Sequence, residues 1–127
     1  MANTAGYTQL PATTREQTLA AARTQAQQAA RRYAELLAAE AGIAARAVLP
    51  TVAQLLFRLT DDILGPSASL VAAYGTTGRL QWHVELDDEW PDESLVTDLL
   101  AAANRWCHDF FPAADEDEDA YRFDLDA

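Results

Sequence analysis

The sequence predicts an α+β domain. Two N-terminal helices precede a β-hairpin, and a C-terminal helix packs on that hairpin, in the order α-α-β-β-α. Three observations carry this. Apolar residues recur at intervals of three and four as far as Ile63. The interval falls to two between Leu80 and Leu86, and it returns to three and four from Leu95 onward. A glycine-bounded stretch, Gly75-Thr76-Thr77-Gly78, sits where a hairpin needs its loop. The length of 127 residues fits one domain, with half the residues apolar.

Residues 1–12 read as a flexible arm. The stretch Thr13-Thr14-Arg15-Glu16-Gln17 then offers two overlapping capping boxes, Thr13 with Glu16 and Thr14 with Gln17. The first helix is expected from there to about Ala41, with Gly42 as its stop. Leu19, Ala22, Ala26, Ala29, Tyr33, Leu36 and Leu37 form its apolar side. Its first half is nearly all Ala, Gln and Arg, which buries little but lets a neighbouring helix come close.

Residues 43–49 could be a short kinked helix or an extended connector. Pro50 suits the first turn of a second helix, expected from Pro50 to Leu64, with Val52, Leu55, Leu56, Leu59 and Ile63 as its stripe. Leu70 to Tyr74 and Arg79 to Leu86 then form the hairpin, with Leu80, Trp82, Val84 and Leu86 turned inward. Pro91, Asp92 and Glu93 suit the start of the last helix, where the dipole favours acids. Its stripe is Leu95, Leu99, Ala102, Trp106 and Phe110, widened by Val96, Leu100, Ala103 and Cys107, and Pro112 closes it.

Residues 113–127 read as an acidic tail. Asp115, Glu116, Asp117, Glu118 and Asp119 are five like charges in a row, which cannot pack. After them Tyr121, Phe123 and Leu125 alternate with Arg122, Asp124 and Asp126. This is either a third strand guarding the sheet edge or an acidic-aromatic motif that adds to a partner. The like-charge run favours the mobile motif.

Charge is divided along the chain. Residues 1–60 hold six Arg and three Glu, a balance of +3, while residues 61–127 hold three Arg and seventeen acids, a balance of −14. Such a field attracts basic surfaces and repels nucleic acid and anionic lipid. The expected function is a non-enzymatic acidic module that binds a basic surface on another protein. Its sharpest form is an inhibitor occupying a nucleic-acid-binding surface, as a DNA mimic does. The candidate contact residues are Glu85, Asp87, Asp88, Glu89, Trp90, Asp115, Glu116, Asp117, Glu118, Asp119, Tyr121 and Phe123, with Trp82 as a further apolar anchor. The alternative is self-assembly, as a homodimer, through the Ala-rich first helix.

Signals for chemistry are weak. His83, Glu85 and Asp87 would share a polar strand face and could hold a metal, but an exposed polar face explains them as well. Cys107 and His108 are adjacent on a helix and point roughly 100° apart, so they form no dyad. Asp115, Asp117 and Asp119 match the opening of a calcium loop, but Ala120 stands where Gly is needed and Asp126 where Glu is usual. No phosphate-binding glycine motif occurs, so no cofactor is expected. The N-terminus lacks the basic and apolar regions of a signal peptide, no apolar run reaches the ~20 residues of a membrane span, and a single cysteine permits no internal disulfide, which together predict a cytoplasmic protein.

Overall fold

Pro50 divides the first half of the chain, and the two sides take different structures. The computed structural model describes residues 5–63, 65–114 and 120–126. Its elements are α1 (Ala5–Thr8), α2 (Ala12–Val48), β1 (Val52–Asp62), β2 (Gly65–Gly75), β3 (Leu80–His83), α3 (Ser94–Trp106) and β4 (Ala120–Asp124). The strands form one antiparallel sheet in the order β3-β2-β1-β4. The α+β class and the β2–β3 hairpin with its Gly75–Gly78 loop are as the sequence predicts.

The expected second helix over 50–64 is instead the central strand β1. Pro50 does not open a helix. It disfavours helical geometry at Leu49, which is extended at φ −124° and ψ 93°, and the Val52 N–H closes a turn onto the Leu49 carbonyl at 3.0 Å. Beyond that turn, Leu55, Phe57 and Leu59 take one face of a strand while Arg58 and Thr60 take the other. A register irregularity between Val52 and Gln54 skips Ala53, so Val52 and Leu55 are both buried at a spacing of three, an interval that also suits a helix. Ile63, which completes the helical stripe, is fully exposed beyond the end of the strand. A strand paired on both sides satisfies two rows of backbone groups, which outweighs a weak local preference.

Register places Leu55, Ala73, Trp82 and Phe123 on one face of the sheet, next to Phe57, Leu70 and Tyr121. The second half of α2 and α3 cover this face, contributing Ala34, Ala38, Ala41, Ala45, Val96, Leu100 and Ala103 to a single buried cluster. The opposite face carries Gln54, Arg58, Thr60, Ser67, Ser69, Arg122 and Asp124. At one end of the core Phe57, Phe111, Tyr121 and Phe123 stack ring on ring, with Phe57 and Phe111 edge-to-face at 4.9 Å. At the other, Trp82 and Trp90 meet edge-to-face at 5.2 Å.

Helix boundaries differ from expectation for identifiable reasons. Within the expected arm, residues 5–8 form one helical turn. Pro11 caps α2 through its backbone, its carbonyl taking the Arg15 N–H at 3.0 Å, so Thr13 and Thr14 fall inside the first turn and neither capping box forms. At its far end, α3 stops at Trp106, short of Pro112, with Cys107 extended at φ −146°. Its Val96, Leu100 and Ala103 row is the buried one, whereas Leu95 and Trp106 are exposed. The helix packs chiefly on α2 and only secondarily on the hairpin strand β2.

Gly42 does not end α2. It is buried mid-helix, and a Cβ there would meet Leu125 Cγ at 3.4 Å and Phe123 Cε2 at 3.7 Å. Its missing side chain lets the β4 side chains lie close on the helix. Those distances are ordinary contact, so a methyl group fits. Gly42→Ala is expected to raise the unfolding free energy by about 0.5–1 kcal/mol through helix propensity. Gly42→Leu should lower it by forcing Leu125 away. Urea denaturation of both variants checks the pair.

Candidate protein-interaction surfaces

The turn that ends β3 concentrates charge. His83 is the last strand residue, because the Asp87 carboxylate accepts its backbone N–H at 2.9 Å and the His83 carbonyl accepts the N–H groups of Leu86 and Asp87. His83 Nδ1 in turn accepts the Glu85 N–H at 3.1 Å. The expected strand to Leu86 is therefore short by three residues, and His83, Glu85 and Asp87 do not share a strand face. Glu85, Asp87, Asp88, Glu89 and Asp92 are all exposed within this rim. Among the described residues the ion pairs involve only Glu35 and Asp126 as acids, so the rim carboxylates are unmatched by Arg there. Glu93 belongs to the framework instead, accepting the Leu70 N–H at 2.9 Å and tying α3 to β2.

The tryptophans named as candidate apolar anchors are part of the fold, Trp82 on the inward side of β3 as its alternation predicts. Trp90 is 2 % exposed, and Trp82 is buried with its Nε1–H donated to the Asp88 carbonyl at 2.8 Å. Burying this pair is what folds the acidic turn back on the sheet. The exposed apolar side chains of the rim are Val84 and Leu86, which the alternating pattern had placed inward. The early stop of β3 exposes both, and the local signal for it is the acid run Asp87-Asp88-Glu89, which suits a solvated turn better than a strand.

Residues 120–124 are the edge strand β4 rather than a mobile motif, but β4 joins β1 and not the hairpin strands, because the segment expected as a second helix lies between them as a strand. Its backbone pairs with Gln54 to Arg58 of β1, and Leu125 N–H reaches the Ala53 carbonyl at 2.9 Å. On its outer side Ala113 bridges Tyr121, and Arg122 N–H reaches the Pro112 carbonyl at 2.9 Å. Tyr121 and Phe123 lean on the core, half-buried, rather than standing free. Polar side chains hold the end of the strand: Gln54 Nε2 donates to Asp124 at 2.9 Å, and Arg46 donates to Asp126 at 2.7 Å. Asp115, Glu116, Asp117, Glu118 and Asp119, with the calcium-loop pattern they open, lie outside the described residues. The two residues that flank them are joined, Ala114 N–H to the Ala120 carbonyl at 2.8 Å.

Between α2 and β4 runs an open groove of about 370 Å³, lined among others by Arg31, Glu35, Phe110, Phe123, Arg122 and Asp124. Arg31 lies over the Phe110 ring at 5.7 Å. Two cations and two anions alternate there, so the groove selects no single charge.

The first part of α2 extends beyond the core, and only towards its end do Arg31 and Tyr33 lie against Phe110 and Trp106. The helix is 37 residues, about 55 Å, and none of residues 12–33 is buried. The buried positions begin at Ala34 and continue through Ala38, Ala41, Gly42 and Ala45. About 27 Å of helix, residues 12–29, therefore extends past the core with Leu19, Ala22, Ala26 and Ala29 exposed.

Among the described residues no group of three His, Cys, Asp or Glu side chains could hold a metal ion, and no helix is long and apolar enough to cross a membrane. Cys107 packs half-buried against the core and His108 is exposed. Comparison with protein-family models, with curated proteins and with solved structures found no match to this chain.

Proposed function

We propose that this is a non-enzymatic protein-binding module whose acidic rim, Glu85, Asp87, Asp88, Glu89 and Asp92, engages a basic surface of another protein. One observation carries the reading: five exposed carboxylates fall within residues 85–92 after β3, unmatched by Arg among the described residues and braced from below by the Trp82–Trp90 pair. Charge of one sign on a fixed frame steers encounter, and an apolar neighbour supplies contact area. Leu86 and Val84 fill that second role. The run Asp115 to Asp119 adds five further acids to the same half of the sequence.

The test starts from a partner captured by affinity purification and then made pure. Neutralising Glu85, Asp88 and Glu89 together as E85Q/D88N/E89Q should weaken binding at least tenfold while leaving the melting temperature unchanged, because Asp87 keeps its hydrogen bond to His83. Affinity should also fall as salt rises from low to physiological strength. Binding that ignores both the substitutions and the salt would remove the basis for this reading. Competition by DNA for the same partner separates the inhibitor form, in which the partner surface binds nucleic acid, from simple adaptor binding.

A second reading has an observation of its own. An isolated helix gains little stability from propensity alone, and most helices are held by packing of an apolar face. From Leu19 to Ala29 the exposed stripe of α2 has no such packing within the described residues, which favours self-association through this helix.

A further inference from the structure

We propose that α2 pairs antiparallel with α2 of a second copy of this chain, about a two-fold axis between Ala26 and Ala29. This rests on the self-association reading and deepens it by fixing direction and register.

The pairing begins with a heptad interval. Positions 19, 22, 26, 29, 33, 36, 40, 43 and 47 alternate steps of three and four over four heptads, and every one of them is exposed. The larger side chains among them are Leu19 at 59 %, Tyr33 at 46 %, Leu36 at 48 % and Ile43 at 66 % exposure. These are large apolar groups on a regular seam rather than scattered surface residues. Leu36 and Ile43 each lie two positions from members of the buried row, Ala34, Ala38, Ala41 and Ala45, which is roughly 160–200° round the helix. The helix thus has two apolar rows on opposite sides. One faces its own core, and the other faces away from it along the full length, through the arm and across the body.

Size and charge set the direction. In an antiparallel pair centred between Ala26 and Ala29, Ala26 faces Ala29 of the second copy, Ala22 faces Tyr33, and Leu19 faces Leu36. The next two layers set Arg15 against Glu40 and Ala12 against Ile43. Each apolar layer pairs apolar residues, Leu19 with Leu36 being the one large pair, and the one charged layer joins opposite signs twice, once at each end. Ala22 opposite Tyr33 also leaves room for Trp106, whose ring stands edge-on to Tyr33 at 5.1 Å. At the flanks Arg23 meets Ala30 and Arg32 meets Gln25, so no like charges are brought together.

A parallel, in-register pair does the reverse. It would stack Arg15 on Arg15, Glu40 on Glu40 and Tyr33 on Tyr33. It would also set two acidic bodies side by side, where residues 34–127 carry nineteen acids against five Arg. The antiparallel pair separates the bodies and lays each arm along the other copy, and residues 12–33 of that arm carry four Arg and one Glu. The chain is basic at one end and acidic at the other, and head-to-tail alignment is the arrangement that uses it.

The experiment is analytical ultracentrifugation of the full chain and four variants. The wild type should be a dimer that dissociates on dilution. Ala26→Arg, at the closest approach of the two helices, should be monomeric with an unchanged melting transition of the body, because Ala26 touches nothing in its own chain's core. Arg15→Glu and Glu40→Arg should each raise the dimer dissociation constant at least tenfold, and the double variant R15E/E40R should return it to within about threefold of the wild type. A wild type that stays monomeric at every concentration overturns self-association and the register together. A dimer in which the double variant stays as weak as the single ones, or the single ones are as tight as the wild type, overturns the register and leaves self-association standing.

Discussion

A chain ending at Asp119 is expected to lose its cooperative unfolding transition. Removing Ala120 to Ala127 takes away β4, which pairs with β1 over Gln54 to Arg58 and lays Tyr121, Phe123 and Leu125 against the core. Burial of such side chains contributes about 1.5–3 kcal/mol each when complete, and these three are about half-buried. The backbone pairing and the uncovered Phe57, Phe111 and Gly42 add to the loss. The sum is comparable with the whole stability of a domain this size, about 5–15 kcal/mol. The truncation should also expose the edge of β1 and promote aggregation. Near-ultraviolet circular dichroism and a urea titration read the outcome directly. Phe123→Ala serves as the milder companion, with an expected loss of about 1–3 kcal/mol, below the cost of a fully buried Phe. A truncated chain with an unaltered urea midpoint would mean that the strand contributes nothing and that the segment acts only as a binding motif.

The second large effect is expected at Phe57. This side chain has no exposed area and meets Phe111 edge-to-face and Tyr121 at a stacked angle, so it joins β1 to β4 and to the segment that follows α3. Phe57→Ala should cost about 3–5 kcal/mol, from lost transfer and the cavity left behind. Ile63→Ala is the control, since Ile63 is fully exposed and should change stability by less than about 0.5 kcal/mol. The comparison distinguishes the strand from the helix that the same residues could spell. On a helical stripe Ile63 would be a core position and Phe57 would lie off the row. Equal effects at the two sites, measured as urea midpoints at constant slope, would contradict the register of β1.

The two surfaces proposed for binding divide along the same line. The stripe of α2 was legible in part, because Leu19, Ala22, Ala26, Ala29, Tyr33 and Leu36 repeat at three and four regardless of what they pack on. Its continuation through Glu40, Ile43 and Ala47 was hidden by reading Gly42 as a stop. Gly42 instead sits buried against Leu125, a residue more than eighty positions away, and no local signal announces such a contact. The acidic rim was legible as charge. That Val84 and Leu86 are its exposed apolar neighbours, and Trp82 and Trp90 its support, depended on where β3 ends.

The sequence by itself determined the α+β class, the hairpin with its glycine loop, the last helix, and the separation of a slightly basic front from a strongly acidic remainder. Each of these follows from short-range facts: the interval between apolar residues, the backbone freedom of glycine, and formal charge. Tertiary structure alone decided whether Val52 to Asp62 is a helix or a strand, and whether Tyr121 to Leu125 is free or paired. It also decided which tryptophans are surface and which are core. Those outcomes rest on partners distant in the chain. A strand is stabilised by hydrogen bonds to its neighbours, and a central strand needs two of them. Here one neighbour follows immediately and the other comes from the far end of the chain, so the pattern inside residues 52–62 could not contain the answer.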